Sequence, residues 1–232
     1  MVRRTAELLF AMALLAVAAG CSSSGGAGGT SAASPTQMTG VRLKAALLPA
    51  SDFPPGYTVL GEQDSGASLA GPRAGVNLNT MSCSYFVSHS TVALVGATAY
   101  AAEGLRSRDR SVEYTQVILR FASPAAAAAV YRDTLAVRHR CPRTTVTEGG
   151  VTGRVTIQGP PPADVGGHSS VEIDEALTMP GASIVNRTLW SADGQELLEV
   201  SVGTIAQGAR APQSPSLRTL MQDLMTTVQA IR

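Results

Sequence analysis

Hydrophobic and polar positions alternate most clearly between Ser111 and Cys141, in the stretch SVEYTQVILRFASPAAAAAVYRDTLAVRHRC. The β-branched and aromatic residues of 112–121 predict a strand that is buried on at least one face. Ser123 can cap a helix, and the proline and five alanines that follow it suit the first turns. This Ala-rich helix should end at Cys141, because a proline comes next. We predict that this strand and helix form the centre of the domain.

Strand patterns dominate the rest of the chain. Segments with β-like composition are 83–89, 91–102, 144–147, 151–157 and 169–177. Segments 184–191 and 195–205 predict a hairpin, because Asp193-Gly194 between them suits a type I′ turn. A C-terminal helix capped by Ser214-Pro215 has one apolar face, formed by Leu217, Leu220, Met221, Leu224, Val228 and Ile231. Helices flanking a run of antiparallel strands predict an α+β fold with two layers.

The first part of the domain contains a corner. Pro54-Pro55-Gly56 favours an extended turn there, after a short apolar helix or turn in 41–48. We predict that Phe53 and Tyr57 hold this corner against the core. The segment from Gly61 to Thr80 has glycines but no period, which is typical of a long loop.

The N-terminus has the features of an export signal. Arg3 and Arg4 precede an apolar run, 8–20, that is too short to span a bilayer and suits a signal-peptide core. The run ends in VAAGC, which resembles the lipobox of bacterial lipoproteins, so Cys21 is the predicted site of acylation by diacylglycerol and palmitate. The alternative is an ordinary secretory signal with a free Cys21. We therefore divide the chain into a signal peptide (1–20), a lipidated cysteine with a Ser/Gly linker (21–37) and one domain (38–232).

Charge and composition describe a neutral exported domain. The chain has 18 Lys and Arg residues against 17 Asp and Glu residues, and removing Arg3, Arg4 and Glu7 with the signal leaves 16 of each. A neutral protein has no electrostatic reason to bind nucleic acid or an anionic membrane surface. Hydrophobic residues make up 44% of the chain but aromatic residues only 4%, so the core should consist mainly of aliphatic side chains.

The three cysteines suggest one lipid anchor and one disulfide. If Cys21 is acylated, Cys83 and Cys141 remain as an even pair in an oxidising compartment, and we predict that they form a disulfide bond. The sequence has no CxxC, HxxxH or HExxH spacing, so neither a metal site nor a cofactor is predicted.

Candidate catalytic residues are better explained as structure. The chain lacks a GxSxG elbow, and His168 with the serines after it is more simply a loop and a strand start than part of a hydrolase. Alternation places Glu172 and Asp174 on one strand face, with Glu175 beside them. A solvent-facing strand edge protected by charge explains these carboxylates better than a catalytic pair does. We therefore predict that the protein is not an enzyme.

Four features together resemble a known family. They are the lipoprotein signal, the strand and helix ending RHRCP, the hairpin NRTLWSADGQELLEVSV and the amphipathic C-terminal helix. This pattern over 41–232 is similar to mycobacterial exported lipoproteins related to the extracellular sensor domain of the kinase PknH. The resemblance implies a twisted antiparallel sheet with helices packed on it and a cleft for a ligand. It also implies that Cys141 is a disulfide cysteine.

The predicted function is that of a lipid-anchored binding or sensing module on the outer face of the cell membrane. Its membrane contact would be the lipid on Cys21, and its ligand an apolar or glycan component of the envelope. An alternative is a module that docks onto another envelope protein and has no small-molecule pocket. A hydrolase is the third interpretation.

Overall fold

A computed structural model describes the domain. It covers residues 39–60, 64–66, 78, 80–88, 96–148, 150–179, 181–204 and 214–232. The predicted signal peptide, the predicted lipidation site at Cys21 and the predicted linker to residue 37 lie outside these ranges. The α-helices among the described residues are α1 (Gly40–Lys44), α2 (Cys83–Ser88), α3 (Pro124–Arg140) and α4 (Leu217–Ala230), and a 3-10 turn covers Ala50–Asp52.

Ten described strands form one antiparallel sheet. They are β1 (Tyr57–Val59), β2 (Asp64–Gly66), β3 (Ala99–Ser107), β4 (Val112–Arg120), β5 (Arg143–Glu148), β6 (Val151–Gln158), β7 (Ala163–Val165), β8 (His168–Met179), β9 (Ala182–Asp193) and β10 (Glu196–Thr204). The main order across the sheet is β1-β3-β4-β10-β9-β8-β6-β5, while β2 pairs with β3 and β7 pairs with β8. The α+β class is therefore confirmed.

Helices cover both faces of this sheet. One hydrophobic cluster joins α1 and α4 to residues such as Tyr114, Ile118 and Val200. The other joins α2 and α3 to residues that alternate with these, including Val117 and Trp190. Because successive side chains of a strand point to opposite faces, the two clusters lie on opposite sides of the sheet. The domain has three layers, and the predicted arrangement of two layers is wrong.

The central strand and helix follow the sequence pattern closely. Strand β4 covers most of the predicted segment, and both of its faces are buried. Ser123 caps helix α3, since its Oγ accepts a hydrogen bond from the backbone N–H of Ala126 at 3.2 Å. The helix ends at Arg140, directly before Cys141. Local capping and stop signals were sufficient to predict these bounds.

The segment that begins at Cys83 is a helix, although its composition predicted a strand. Ser82 begins it, because its Oγ accepts a hydrogen bond from the backbone N–H of Tyr85 at 3.2 Å. Phe86 then packs into the cluster beneath α3. Residues 91–95 of the next predicted strand lie outside the described residues, and strand β3 begins only at Ala99. Burial of this short segment against the sheet outweighs its β propensity.

The β9–β10 hairpin is confirmed, but its turn differs from the prediction. Asp193 pairs with Glu196, so the two turn residues are Gly194 and Gln195. A type I′ turn needs positive φ at both positions, and of these two residues only Gly194, at φ +62°, has it. Glycine at the first position is typical of a type II′ turn, so the predicted type is wrong.

Phe53 and Tyr57 pack the predicted corner at Pro54-Pro55-Gly56 against the core, as expected. Phe53 is 3% exposed, and its ring contacts that of Tyr114 edge to face at 5.5 Å between centroids. The ring of Tyr57 meets Tyr114 in the same way at 5.3 Å. Burial and the neighbouring Tyr57 raise the pKa of Tyr114 to about 12. These three rings attach the corner to the face of the sheet that α1 and α4 cover.

Buried charges near the hairpin turn are fully paired. Glu196 is buried and binds both Arg120 and Arg232. Asp193 receives a hydrogen bond from the guanidinium of Arg232 at 3.1 Å and another from the side-chain amide of Gln229 at the same distance. These contacts connect the end of α4 to the hairpin, and they show how this fold neutralises carboxylates that it buries.

Candidate functional site

A row of polar residues crosses the sheet on the face that carries α3. Strand register places Glu175, Asn186, Gly203, Glu113 and Arg106 side by side, on β8, β9, β10, β4 and β3. The guanidinium of Arg106 donates to Oε2 of Glu113 from Nη2 at 2.9 Å and from Nε at 3.1 Å. Gly203 has no side chain, so the row has a gap between the asparagine and Glu113.

A second polar row runs beside the first. Thr188, Ser201 and Thr115 are directly paired on β9, β10 and β4. Beyond them on β10 lies Glu199, opposite Trp190. Since Trp190 belongs to the cluster beneath α3, these rows are on the same face as that helix. We use the name polar patch for Glu113, Thr115, Glu175, Asn186, Thr188, Glu199 and Ser201.

The carboxyl groups of the polar patch hold their protons unusually strongly. Burial, with an added contribution from the charge of Glu175, raises the pKa of Glu199 to about 8. Burial also raises the pKa of Glu175, although a hydrogen bond from Asn186 acts in the opposite direction. The pKa of Glu113 is raised too, because burial outweighs the hydrogen bonds and charge of Arg106. Both Glu175 and Glu199 are nevertheless partly accessible to solvent. Loss of hydration on burial is the main cause of all three shifts.

Three buried polar atoms in this region have no hydrogen-bond partner. They are Oε1 of Glu113, the hydroxyl of Tyr131 and Oγ1 of Thr134. The last two belong to α3 and share a helix face with Ala127, which is packed in the cluster between α3 and the sheet. A buried polar atom without a partner costs about 1–3 kcal/mol, so each of them is a point where a ligand could bind favourably.

Sequence reasoning misplaced the acidic residues of β8. As predicted, Glu172 and Asp174 share one face, and both pair with Arg187, at 3.0 and 2.9 Å. However, β8 lies between β9 and β6, so the interpretation as a protected sheet edge is wrong. Glu175 points to the opposite face and joins the polar patch. The same alternation could have indicated this, because the buried Ile173 lies on that face.

The predicted disulfide is present. The Cα atoms of Cys83 and Cys141 lie 5.4 Å apart and their sulfur atoms are bonded, joining α2 to the end of α3. Both residues border the cluster beneath α3. The bond therefore links the two helices on this face of the sheet and takes no part in the polar patch.

The other candidate residues do not assemble into a catalytic or metal site. Nδ1 of His168 lies 3.7 Å from Oδ1 of Asp193, and the hydroxyl of Ser170 donates to the backbone oxygen of His168, at 3.3 Å. Within the described ranges, no group of three or more His, Cys, Asp and Glu side chains could hold a metal ion. The polar patch is thus the strongest candidate site in the part of the chain that the structure describes.

The architecture defines a class of domain with one large antiparallel sheet and helices on both faces. It is similar to the extracellular domain of PknH from Mycobacterium tuberculosis, with a TM-score of 0.55 and 15% identity, covering 82% of this chain and 97% of that one. An uncharacterised protein from Mycobacterium smegmatis, the Rv0999 ortholog, gives a TM-score of 0.43 at 11% identity, covering 81% and 96%. The sequence itself matches no family model and no curated protein. The predicted resemblance to the PknH domain is confirmed at the level of the fold.

Proposed function

We propose that this protein is an exported binding or sensing module and that the polar patch is its ligand site. The similarity of its fold to an extracellular domain supports an exported role. The export signal and the predicted lipid anchor at Cys21 support a position on the outer face of the cell membrane. Within the described residues, no helix is long and apolar enough to cross a membrane.

One observation carries the proposal. A sheet face beneath a helical layer is normally apolar, because its burial provides the hydrophobic stabilisation of the fold. Here seven polar residues are adjacent on that face, and Glu113 is 1% exposed, with one carboxylate oxygen unpaired. An arrangement that is unfavourable for folding is typical of a functional site.

The character of the patch favours a polar ligand. Its hydroxyl, amide and carboxyl groups can form many hydrogen bonds, whereas a lipid chain would leave them without partners. Of the two ligand classes predicted from the sequence, an apolar molecule therefore has less support than a polar envelope component. Docking onto another protein has less support as well. The large hydrophobic residues exposed in the described ranges are Val41, Val59 and Val185, which lie apart on α1, β1 and β9.

Native mass spectrometry of the protein purified from its own host tests this proposal. We expect a bound molecule of defined mass that Glu199→Ala removes. The matched control is Glu172→Ala, which removes a carboxylate from the opposite face of the same sheet. Loss of the bound molecule from both variants, or retention in both, would contradict the assignment of the site. A protein that carries no molecule at all would contradict a binding function.

A further inference from the structure

The charges of the polar patch are unbalanced. Glu113 has a cationic partner, Arg106, which binds only its Oε2. Glu175 and Glu199 take part in none of the ion pairs formed among the described residues. The paired carboxylates near the hairpin turn provide a comparison within the same fold, because Glu196 there is bound by two arginines. The patch therefore has two partly buried carboxyl groups that no cation neutralises.

The groups between these two carboxyls are suited to a ligand that donates hydrogen bonds. Thr188 lies on β9, between the strands of Glu175 and Glu199, and its register partner is Ser201. Both residues are 6% exposed. The hydroxyl oxygen of Thr188 accepts a hydrogen bond from Nδ2 of Asn186 at 3.2 Å and has a second lone pair, and the hydroxyl oxygen of Ser201 can accept as well. Oε1 of Glu113, on the same face, is an acceptor without a donor.

A second observation comes from α3 and is independent of the acidic residues. Oγ1 of Thr134 has no hydrogen-bond partner, and the residue is only 2% exposed. Its helix packs on β9 and β10, which are the strands of Thr188 and Glu199. Thr134 is on the side of α3 that faces the sheet, since it follows the packed Ala127 by seven residues, about two helical turns. An unpaired hydroxyl thus lies on the side of α3 that packs on the two strands of Thr188 and Glu199.

Charge distinguishes between the possible ligands. An anion would find little positive charge here, because the guanidinium of Arg106 is already engaged with Glu113. A neutral molecule could use the hydroxyl groups but would leave Glu175 and Glu199 as protonated, partly buried acids. An ammonium group supplies a positive charge that would let both carboxyls ionise, and its three donors and lack of an acceptor match an acceptor-rich surface.

We propose that the polar patch binds an organic cation with ammonium groups, whose charge Glu175 and Glu199 neutralise. This inference rests on the proposed function of the patch as the ligand site and specifies the chemical class of the ligand. Thr188, Ser201 and Thr134 would accept the remaining hydrogen bonds of the ammonium groups.

Isothermal titration calorimetry with spermidine tests the inference on the full chain. The comparison ligand is diacetylated spermidine, which retains the length of the molecule and lacks both terminal charges. We expect spermidine to bind at least about tenfold more tightly than its acetylated form. Glu175→Gln and Glu199→Gln should each weaken spermidine binding about tenfold or more, while Glu172→Gln on the opposite face should leave it unchanged.

Each outcome has a defined meaning. Glutamine has the shape of a protonated glutamate, so both variants should fold, and a thermal unfolding measurement checks this. Equal binding of the two ligands, an equal effect of Glu172→Gln, or no binding of spermidine would overturn the inference. If spermidine fails but Glu199→Ala still removes a bound molecule in mass spectrometry, the patch is a ligand site for a different chemical class. If both experiments fail, the proposed function fails as well.

Discussion

The side chain of Gln116 forms two hydrogen bonds with the backbone of Leu48, across 68 residues of sequence. Its Oε1 accepts from the N–H of Leu48 at 2.8 Å, and its Nε2 donates to the carbonyl of the same residue at 2.8 Å. Nε2 also donates to Oε2 of Glu103 at 2.9 Å. Gln116 is fully buried. Its amide group therefore provides hydrogen-bond partners for the backbone N–H and C=O of Leu48, which lies outside the strands of the sheet.

Replacing this amide should destabilise the protein strongly. Gln116→Leu leaves the buried N–H and C=O of Leu48 without these partners, and each such group costs about 1–3 kcal/mol. We expect a loss of about 2–4 kcal/mol in the free energy of unfolding, measured by urea denaturation. Gln158→Leu, at an exposed position on β6, is the control and should change it by less than about 0.5 kcal/mol. Equal effects of the two substitutions would show that the Leu48 contacts contribute nothing.

Removal of the disulfide should lower the thermal stability. Cys83 and Cys141 are separated by 58 residues, and closing a loop of that size in the unfolded chain is worth up to about 4 kcal/mol. The double serine variant should therefore melt roughly 10 °C lower. A reducing agent should lower the melting temperature of the wild type and leave that of the variant unchanged. A reducing agent that affects both proteins equally would contradict this explanation.

The stability of the domain should fall as the pH rises towards 8. The pKa of Glu199 is about 8 in the folded state, above its ordinary value of 4.5, so between these values the folded state binds more protons than the unfolded state. The stabilisation by the protonated Glu199 side chain is complete below pH 4.5 and is lost as the pH rises through 8. Over this range the free energy of unfolding should fall by at most about 1.4 kcal/mol per pH unit. Partial contact with solvent makes the real slope smaller.

Glu199→Gln should flatten this dependence, because an amide does not titrate. We expect the variant to melt at a higher temperature than the wild type at pH 8.5 and at a similar temperature at pH 5, as measured by calorimetry. The matched substitution Glu172→Gln should keep the wild-type slope. If Glu199→Gln and the wild type show parallel curves over this range, then Glu199 does not titrate as its burial indicates.

The lipid anchor is a separate prediction. Cys21→Ala should block acylation and should move the protein from the membrane fraction to the soluble fraction, or leave its precursor unprocessed. Fractionation of the host and mass measurement of the mature protein test this. A variant with unchanged membrane association and mature mass would exclude the lipoprotein interpretation.

Short-range signals explain the parts of the fold that could be predicted. The cap at Ser123 and the alternation of β4 involve contacts between residues that are close in sequence, so their effect can be read without a structure. The disulfide was predictable for a different reason, since only one pair of cysteines remains once Cys21 is assigned to the anchor. The turn at Gly194 was found, but its type depended on which residues of the two strands pair.

The polar patch could not be predicted, because its members come from four strands. The local sequence of a strand does not determine which strands lie next to it in the sheet. Glu199 and Glu113 lie on neighbouring strands of the sheet, although 86 positions separate them in the chain. The sequence by itself determined the cysteine pairing and the position of the main helix, and it predicted the export signal. Only the tertiary structure decided that helices cover both faces of the sheet and that Glu175 shares a face with Glu199, because register and layer packing depend on contacts between distant segments.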